Sequence, residues 1–230
     1  LENEVNVIDL GAIGNGTADD TAAFQTGWAL TGKTLVIPDG TYKISANLGV
    51  PACVVVRGAG KKKSILKPTA AVTELITLTC DCNNLVLDSF QIDGTLTSSA
   101  VGILAGDESV PTPWTGRLIN LDVRNFAGAS GVGLRLADCI NVVIDDILLE
   151  GNTIDVLCQY VEDSATPTTV KFNGGYIRTA GTKGVKIVTG YDITFNETIF
   201  ESNTEEGVYI AAANIAIELN FNNCWFENNY

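Results

Sequence analysis

Six charged residues, Asp93, Arg124, Glu150, Arg178, Glu201 and Glu227, recur at spacings of 31, 26, 28, 23 and 26 in a chain of 230 residues. Their signs alternate until the last two, which are both carboxylates. If each interval is one turn of a stacked structure, opposite charges about 4.8 Å apart satisfy an exposed face at modest gain. Glu201 and Glu227 break that balance, and a neighbouring carboxylate raises the pKa of one member of such a pair. Their backbone spacing is near the ~5 Å carboxyl separation of retaining glycosidases, whereas Glu150 and Glu201, two turns apart, match the inverting range. Glu201 and Glu227 are therefore the candidate catalytic carboxylates. Glu150 and Arg178 are candidate substrate-binding groups beside them.

Two positions before each of these charges stand Gln91, Asp122, Leu148, Tyr176, Ile199 and Trp225. The last four make an outward apolar stripe, and such a stripe must be covered. A neighbouring subunit is the first reading. The chain's own loops, or a sugar ring stacked on Tyr176 and Trp225, are the others.

The chain contains no histidine. That excludes a Ser-His-Asp triad, a Cys-His dyad and any His-ligated zinc site within it. Acid–base work falls to carboxylates, lysine, arginine or tyrosine. The six cysteines are spaced 27, 2, 57, 19 and 66 apart, which fits no zinc pattern. Most lie in apolar, strand-like runs and read as buried free thiols, consistent with synthesis in a reducing cytosol. Cys82 and Cys139 fall two turns apart, too far for a disulfide. No metal and no cofactor is expected. With 14 Lys+Arg against 27 Asp+Glu the net charge is −13, which repels phosphate and argues against a nucleic-acid partner. No apolar run approaches the ~18 residues of a membrane span, so no membrane insertion is expected.

The elements that would position these residues follow from the same period. Leu87, Leu118, Ile144, Phe172, Phe195 and Phe221 stand six before the charges, and Ile92, Val123, Leu149, Ile177, Phe200 and Phe226 one before them. All are apolar. Phe90, Leu121, Ile147, Gly175, Thr198 and Cys224, three after each anchor, are mostly small or apolar. These three positions point inward. A further strand motif recurs between anchors in Val101-Gly-Ile-Leu, Val132-Gly-Leu-Arg-Leu, Val185-Lys-Ile and Val208-Tyr-Ile. A period of 23 to 31 residues with several short strands and no helix predicts a parallel β-helix. Variation in the period places insertions in turns. The longest, residues 106–115, is expected to leave the barrel as a loop carrying Trp114. Asn152, Asn203 and Asn229, eight after their anchors, are expected to stack and hydrogen-bond along the axis.

Ahead of the repeat, Thr17 to Leu30 reads as one short helix with Thr17 as N-cap and Asp19 and Asp20 in its first turn, a capping role rather than a catalytic one. Strands follow at Lys33–Pro38 and Thr41–Ile44 around an Asp39-Gly40 turn. The Arg57-Gly-Ala-Gly-Lys-Lys-Lys-Ser64 segment lacks the spacing of a phosphate loop. It reads as a turn with three solvated lysines.

Asn6-Val-Ile-Asp-Leu-Gly-Ala-Ile-Gly-Asn-Gly-Thr-Ala-Asp-Asp-Thr-Ala-Ala-Phe-Gln25, with the following Val36-Ile-Pro-Asp-Gly-Thr-Tyr-Lys-Ile44, closely resembles the N-terminal motif of pectate-lyase-like (pectin lyase fold) parallel β-helix proteins. Leu10 replaces an aromatic, Asn15 an Asp and Ala18 a Thr. The motif covers about 45 residues and is shared by phage tailspikes, polygalacturonases and other polysaccharide-acting proteins. It implies an all-β, right-handed, single-stranded parallel β-helix capped by a short N-terminal α-helix. One domain is expected over 1–230, with 1–45 the cap and leading strands and 46–230 roughly seven or eight coils. The chain opens at Leu1 without a basic-then-apolar leader and stops in mid-repeat at Tyr230, which reads as the front part of a longer protein or as an end covered by a partner.

The resemblance carries three function classes. The preferred one is a tailspike-like virion protein, a homotrimer made in the host cytoplasm, that binds host surface polysaccharide, either with or without depolymerising it. A secreted enzyme of the polygalacturonase or pectate lyase type is the second. The His-containing polygalacturonase motif cannot exist here, Asp145-Asp146-Ile147 being the nearest segment to that family's Asp-Asp-Cys, and Asp145, Asp146 and Arg178 are a thin match to a lyase's calcium carboxylates and base. The third is a non-catalytic structural β-helix.

Overall fold

Two residues after each anchor the backbone enters the left-handed region: Ser89 (φ 60°), Asn120 (50°), Asp146 (50°), Gly174 (66°), Glu197 (54°) and Asn223 (53°). It does so again seven after the anchor, at Asn125 (64°), Gly151 (69°), Thr179 (54°), Ser202 (57°) and Asn228 (52°). Single left-handed residues turn a chain sharply without a long loop, and Asn, Asp and Gly tolerate the conformation best. Each coil is thereby cut into short strands that stack on the same strands of the coils before and after.

The computed structural model is a parallel β-solenoid of about 8 turns with, among the described residues, a single α-helix. It describes residues 3–52, 54–69, 72–79, 82, 84–96, 100–106, 113–159, 166–211 and 218–230. Sheet A has nine strands, from Glu4–Asn6 to Leu219–Asn222, and contains the anchors. Sheet B, also nine strands, runs from Asn15–Asp19 to Trp225–Glu227 and carries the charge ladder. Sheet C has six strands, from Glu74–Leu78 to Val208–Ile210. All neighbours pair in parallel, with Leu87, Leu118, Ile144, Phe172, Phe195 and Phe221 in one register column. In sheet C, Val185 and Val208 fall in the column of Ile103 and Leu134, two residues along from Val101 and Val132.

The core is the inside of this coil. Most of the positions expected to face inward are fully buried as far as Phe195 and Phe200, whereas in the last coil Phe221 and Phe226 are half exposed. Phe172 stacks on Phe195 at 4.6 Å between centroids, and Phe195 on Phe221 at 5.3 Å. The corner residues Phe90, Leu121, Ile147 and Thr198 fill the angle between sheets A and B. Val101, Val132 and Leu157 form a second, smaller cluster on sheet C with Leu104, Ile154 and Val188.

The helix is shorter than the sequence reading, Thr21–Trp28, because Asn15–Asp19 pairs with Gly40–Ile44 as a strand of sheet B. Thr17 is therefore not the N-cap; Asp20 holds that position. Its carboxylate reaches back to accept from the backbone N–H of Ile13 (2.7 Å) and Gly14 (3.2 Å), so it fastens the leading turn to the helix. Asp19 accepts from Ser45 Oγ (2.5 Å) and Thr21 Oγ1 (2.5 Å), and these bonds hold its carboxyl below the usual range. Phe24 and Trp28 bury together against the first coil, as their spacing requires.

Trp114 is not on a protruding loop. It is fully buried, bridges to Cys139 and donates its indole N–H to Cys82 O at 3.3 Å. Residues 107–112 of that insertion lie outside the described residues. Cys82, Cys139, Cys158 and Cys224 are free, and the first three are buried. Burial pushes the Cys158 thiol up to about 12. Cys53 and Cys80 lie outside the described residues.

Asn203 Nδ2 donates to Asn229 Oδ1 at 2.7 Å, so the expected stack exists at the last two coils. Asn152, Asn203 and Asn229 share a second job. Each donates to the carbonyl of the preceding coil's inward residue, Val123, Ile177 and Phe200. A longer ladder runs on the outside of sheet A: Asn222 donates to Asn196 (2.8 Å), Asn196 to Asn173 (2.9 Å) and Asn173 to Asp145 (2.8 Å).

Asp155, on the sheet C strand Ile154–Cys158, is buried, and Asn152 donates to it at 2.8 Å. Burial pushes its carboxyl well above the usual range, against the opposing pull of that bond. The folded chain thus keeps a proton that an unfolded aspartate loses near pH 3.9. The stability this supplies is full below about pH 4 and declines as pH rises toward the folded pKa, by about 1.4 kcal/mol per unit. Asp155→Asn is expected to remove that slope. In urea melts at stepped pH, the variant should gain on the parent steadily from pH 4 upward; parallel curves for the two proteins would refute the assignment.

Candidate functional site

From Asp122–Arg124 onward each sheet B strand is three residues long because a left-handed corner sits on either side of it. Only the middle residue faces the core. The two flanking residues face out, so sheet B presents two outward columns with rungs about 4.8 Å apart.

The first column is the charge ladder, and its register is as expected: Asp93, Arg124, Glu150, Arg178, Glu201 and Glu227 pair in succession. It extends further back than expected, since Lys67 lies 3.4 Å from Asp93. Glu150 is gripped from both sides, by Arg124 at 3.2 Å and Arg178 at 3.4 Å. Arg178 also reaches Glu201 at 4.0 Å and lies over the Tyr176 ring at 5.5 Å. Beyond Glu201 the alternation stops. Glu227 pairs in register with Glu201, and its carboxylate accepts from the Trp225 indole N–H at 3.1 Å. Among the described residues no cation lies within ion-pair distance of Glu227.

The second column is Gln91, Asp122, Leu148, Tyr176, Ile199 and Trp225. Its outward direction does not mean exposure throughout. Gln91 and Asp122 are buried, whereas Tyr176 is 41% and Trp225 60% exposed. The cause is the lysine turn. After the first coil, the other coils pass from sheet A to sheet B in two residues; here Ala59–Lys63 make a longer strap laid along the corner. Lys61 is only 20% exposed and donates to the Asp146 carbonyl (2.6 Å) and carboxylate (2.9 Å). In the amide orientation that pairs both its ends, Gln91 donates to Lys61 O at 2.8 Å. Lys61 is thus a clasp rather than a solvated lysine.

Beneath the strap, Asp122 takes a bidentate contact from Arg124, Nε at 2.8 Å and Nη2 at 2.5 Å. Burial raises its carboxyl above the usual range despite that guanidinium. Asp122 holds Arg124, and Arg124 holds Glu150, so it is a positioning residue. The sequence reading placed it in this column without a role; the signal was that it is the column's one charged member.

The site that remains open is the run from Leu148 to Trp225, with Glu150, Arg178, Glu201 and Glu227 alongside. The structure brings all six candidate residues onto this one face. The lyase-like trio does not assemble: Asp145 faces out from sheet A to Arg117 (2.7 Å), Asp146 sits at a corner, and Arg178 belongs to sheet B of the following coil. Among the described residues no cluster of three metal-ligating side chains forms. Nor is any helix among them long and apolar enough to cross a membrane.

A family model described as rhamnogalacturonase A/epimerase, pectate lyase-like, matches residues 4–227. The pre-neck appendage protein of Bacillus phage phi29 is 26% identical over 163 residues, covering 67% of this chain and 17% of that protein. Among solved structures, ORF18 of Geobacillus virus E2 superposes with a TM-score of 0.73 at 16% identity, over 97% of this chain and 53% of that one. The enzymatically active domain of bacteriophage CBA120 tailspike protein 2 gives 0.69 at 18% identity, over 99% and 41%. This chain therefore spans a minor part of the phage appendage protein and about half or less of these structures. At such identities the structural likeness is one of fold.

Proposed function

The chain belongs to the rhamnogalacturonase A/epimerase, pectate lyase-like family, and from that premise we propose that it is the β-helix of a tailspike-like virion protein that binds and cleaves a host surface polysaccharide along sheet B. The observation that carries the reading is the register of Tyr176, Ile199 and Trp225 beside Glu150, Arg178, Glu201 and Glu227 on one open face. Aromatic rings two rungs apart offer stacking faces to a sugar, and the neighbouring carboxylates and guanidinium offer hydrogen bonds to its hydroxyls. Likeness to phage appendage and tailspike proteins supports the virion setting. The stripe suits a glycan better than a subunit. Burying Glu201 and Glu227 in a protein interface would cost desolvation, whereas a hydroxyl-rich glycan keeps them hydrogen-bonded.

Tryptophan emission tests the reading directly. Trp28 and Trp114 are buried, so a ligand on the outer face moves only Trp225. Titration with polysaccharide extracted from host cell surfaces should shift the emission. Trp225→Ala should abolish the shift and weaken binding roughly tenfold. Unchanged affinity in both Trp225→Ala and Tyr176→Ala would sink the platform. The assembly proposed is a homotrimer, and light scattering reading a single 24.3 kDa chain would contradict it.

A further inference from the structure

The charges on this chain are unevenly placed. Residues 187–230 contain seven carboxylates, Asp192, Glu197, Glu201, Glu205, Glu206, Glu218 and Glu227, and no lysine or arginine. The open end of the platform lies in this stretch. The cations on this stretch of sheet B, and Lys183 just after it, are already engaged, while Lys171 and Lys186 of the same turn lie on sheets A and C. Arg124 is held by Asp122 and Glu150, Arg178 by Glu150 and Glu201, and Lys183 by Glu205 and Glu206. Among residues 1–230, a ligand laid across Tyr176 and Trp225 therefore meets Glu201 and Glu227 with no unengaged cation on sheet B between them.

We infer that the platform takes a glycan without acidic groups, neutral or bearing free amines, and rejects polyuronates. The inference rests on the reading of this face as a glycan site, and it sets this chain apart from what the family's name, with its reference to pectate, would lead one to supply. A uronate chain lying on the stripe brings its carboxylates within a few ångströms of Glu201 and Glu227. That repulsion is strengthened where the sugar itself displaces water from the ladder. An uncharged ring loses nothing of this kind, and a glucosamine-type amine gains.

A glycan array of neutral, amino-sugar and uronate oligosaccharides, probed with the protein at low and at high salt, reads the outcome. Neutral ligands should bind with little salt dependence and amine-bearing ones more weakly at high salt. Uronate oligomers should bind about tenfold or more weaker than neutral ones at low salt, with the gap narrowing as salt rises. The double change Glu201→Gln with Glu227→Gln should narrow the same gap at low salt. Uronates binding as well as or better than neutral glycans would overturn the inference and leave the glycan platform standing. A gap indifferent to both salt and the double change would also overturn it, since the discrimination would then not be electrostatic. Binding to nothing on the array would remove the platform itself, and the inference with it.

Discussion

Replacing Phe195 by alanine is expected to cost about 3–5 kcal/mol, the usual penalty for emptying a buried aromatic site. Phe195 is fully buried, stacked between Phe172 and Phe221 and packed edge-on against Phe200 at 5.3 Å. Neither neighbour in its column closes the gap readily, because Phe172 is pinned in its own coil by parallel pairing on both sides and Phe221 by pairing on one. Coils of a solenoid contact only their neighbours, so the loss is not spread over the molecule. It should fall on residues 191–230, where Phe221 and Phe226 are already half exposed. Amide hydrogen exchange should therefore quicken in the last two coils while residues 85–158 keep their protection. Phe226→Ala, at 51% exposure, should cost far less. A uniform loss of protection, or equal costs for the two variants, would show that the stack is not the local support inferred from its geometry.

The inward columns were legible in the sequence because a sheet records its register as a strict period, and Leu87, Ile92 and their counterparts keep it through insertions of several residues. The ladder was legible for the same reason. The helix start was not. Thr17 to Asp20 satisfies a capping pattern, yet Asp20 spends its carboxylate on Ile13 and Gly14, a contact that a local pattern does not encode. Lys61 and Trp114 were misplaced for a related cause. Each finds its partner, Asp146 and Cys139, far along the sequence, and only stacking brings these together. The sheet A ladder of Asn173, Asn196 and Asn222 was present in the spacing, one residue after each anchor, and passed unread among polar turn residues. Of the site itself, its residues were legible but its limits were not. The strap that covers Gln91 and Asp122 sets where the platform begins, and a strap is an insertion, which periodicity ignores.

Glu201→Gln and Glu227→Gln should each lower polysaccharide cleavage by about 10²- to 10⁴-fold, the range a positioned acid or base supplies, with little change in binding. Glutamine keeps the shape and the acceptor oxygen that Trp225 Nε1 bonds to, so the fold and the platform survive. What is lost is the proton or the attacking oxygen. In the proposed division of labour one carboxyl gives its proton to the glycosidic oxygen as that bond breaks, and the other carboxylate attacks the anomeric carbon from the opposite side. Adjacent rungs set the two near the ~5 Å separation of retaining enzymes, so the product anomer followed by NMR should keep the configuration of the substrate. Glu150 is a poorer candidate for either role, since Arg124 and Arg178 both hold it through one oxygen, Oε2. Its Gln variant should weaken binding more than turnover. Exposed carboxylates influence one another little in water, so the pair becomes competent only when the sugar covering Tyr176 and Trp225 displaces that water. A short oligosaccharide that reaches one aromatic but not both should then bind yet turn over slowly. Undiminished cleavage in both single variants would remove Glu201 and Glu227 as catalysts. Inversion at the anomeric carbon would instead move the chemistry to Glu150 and Glu201, two rungs apart.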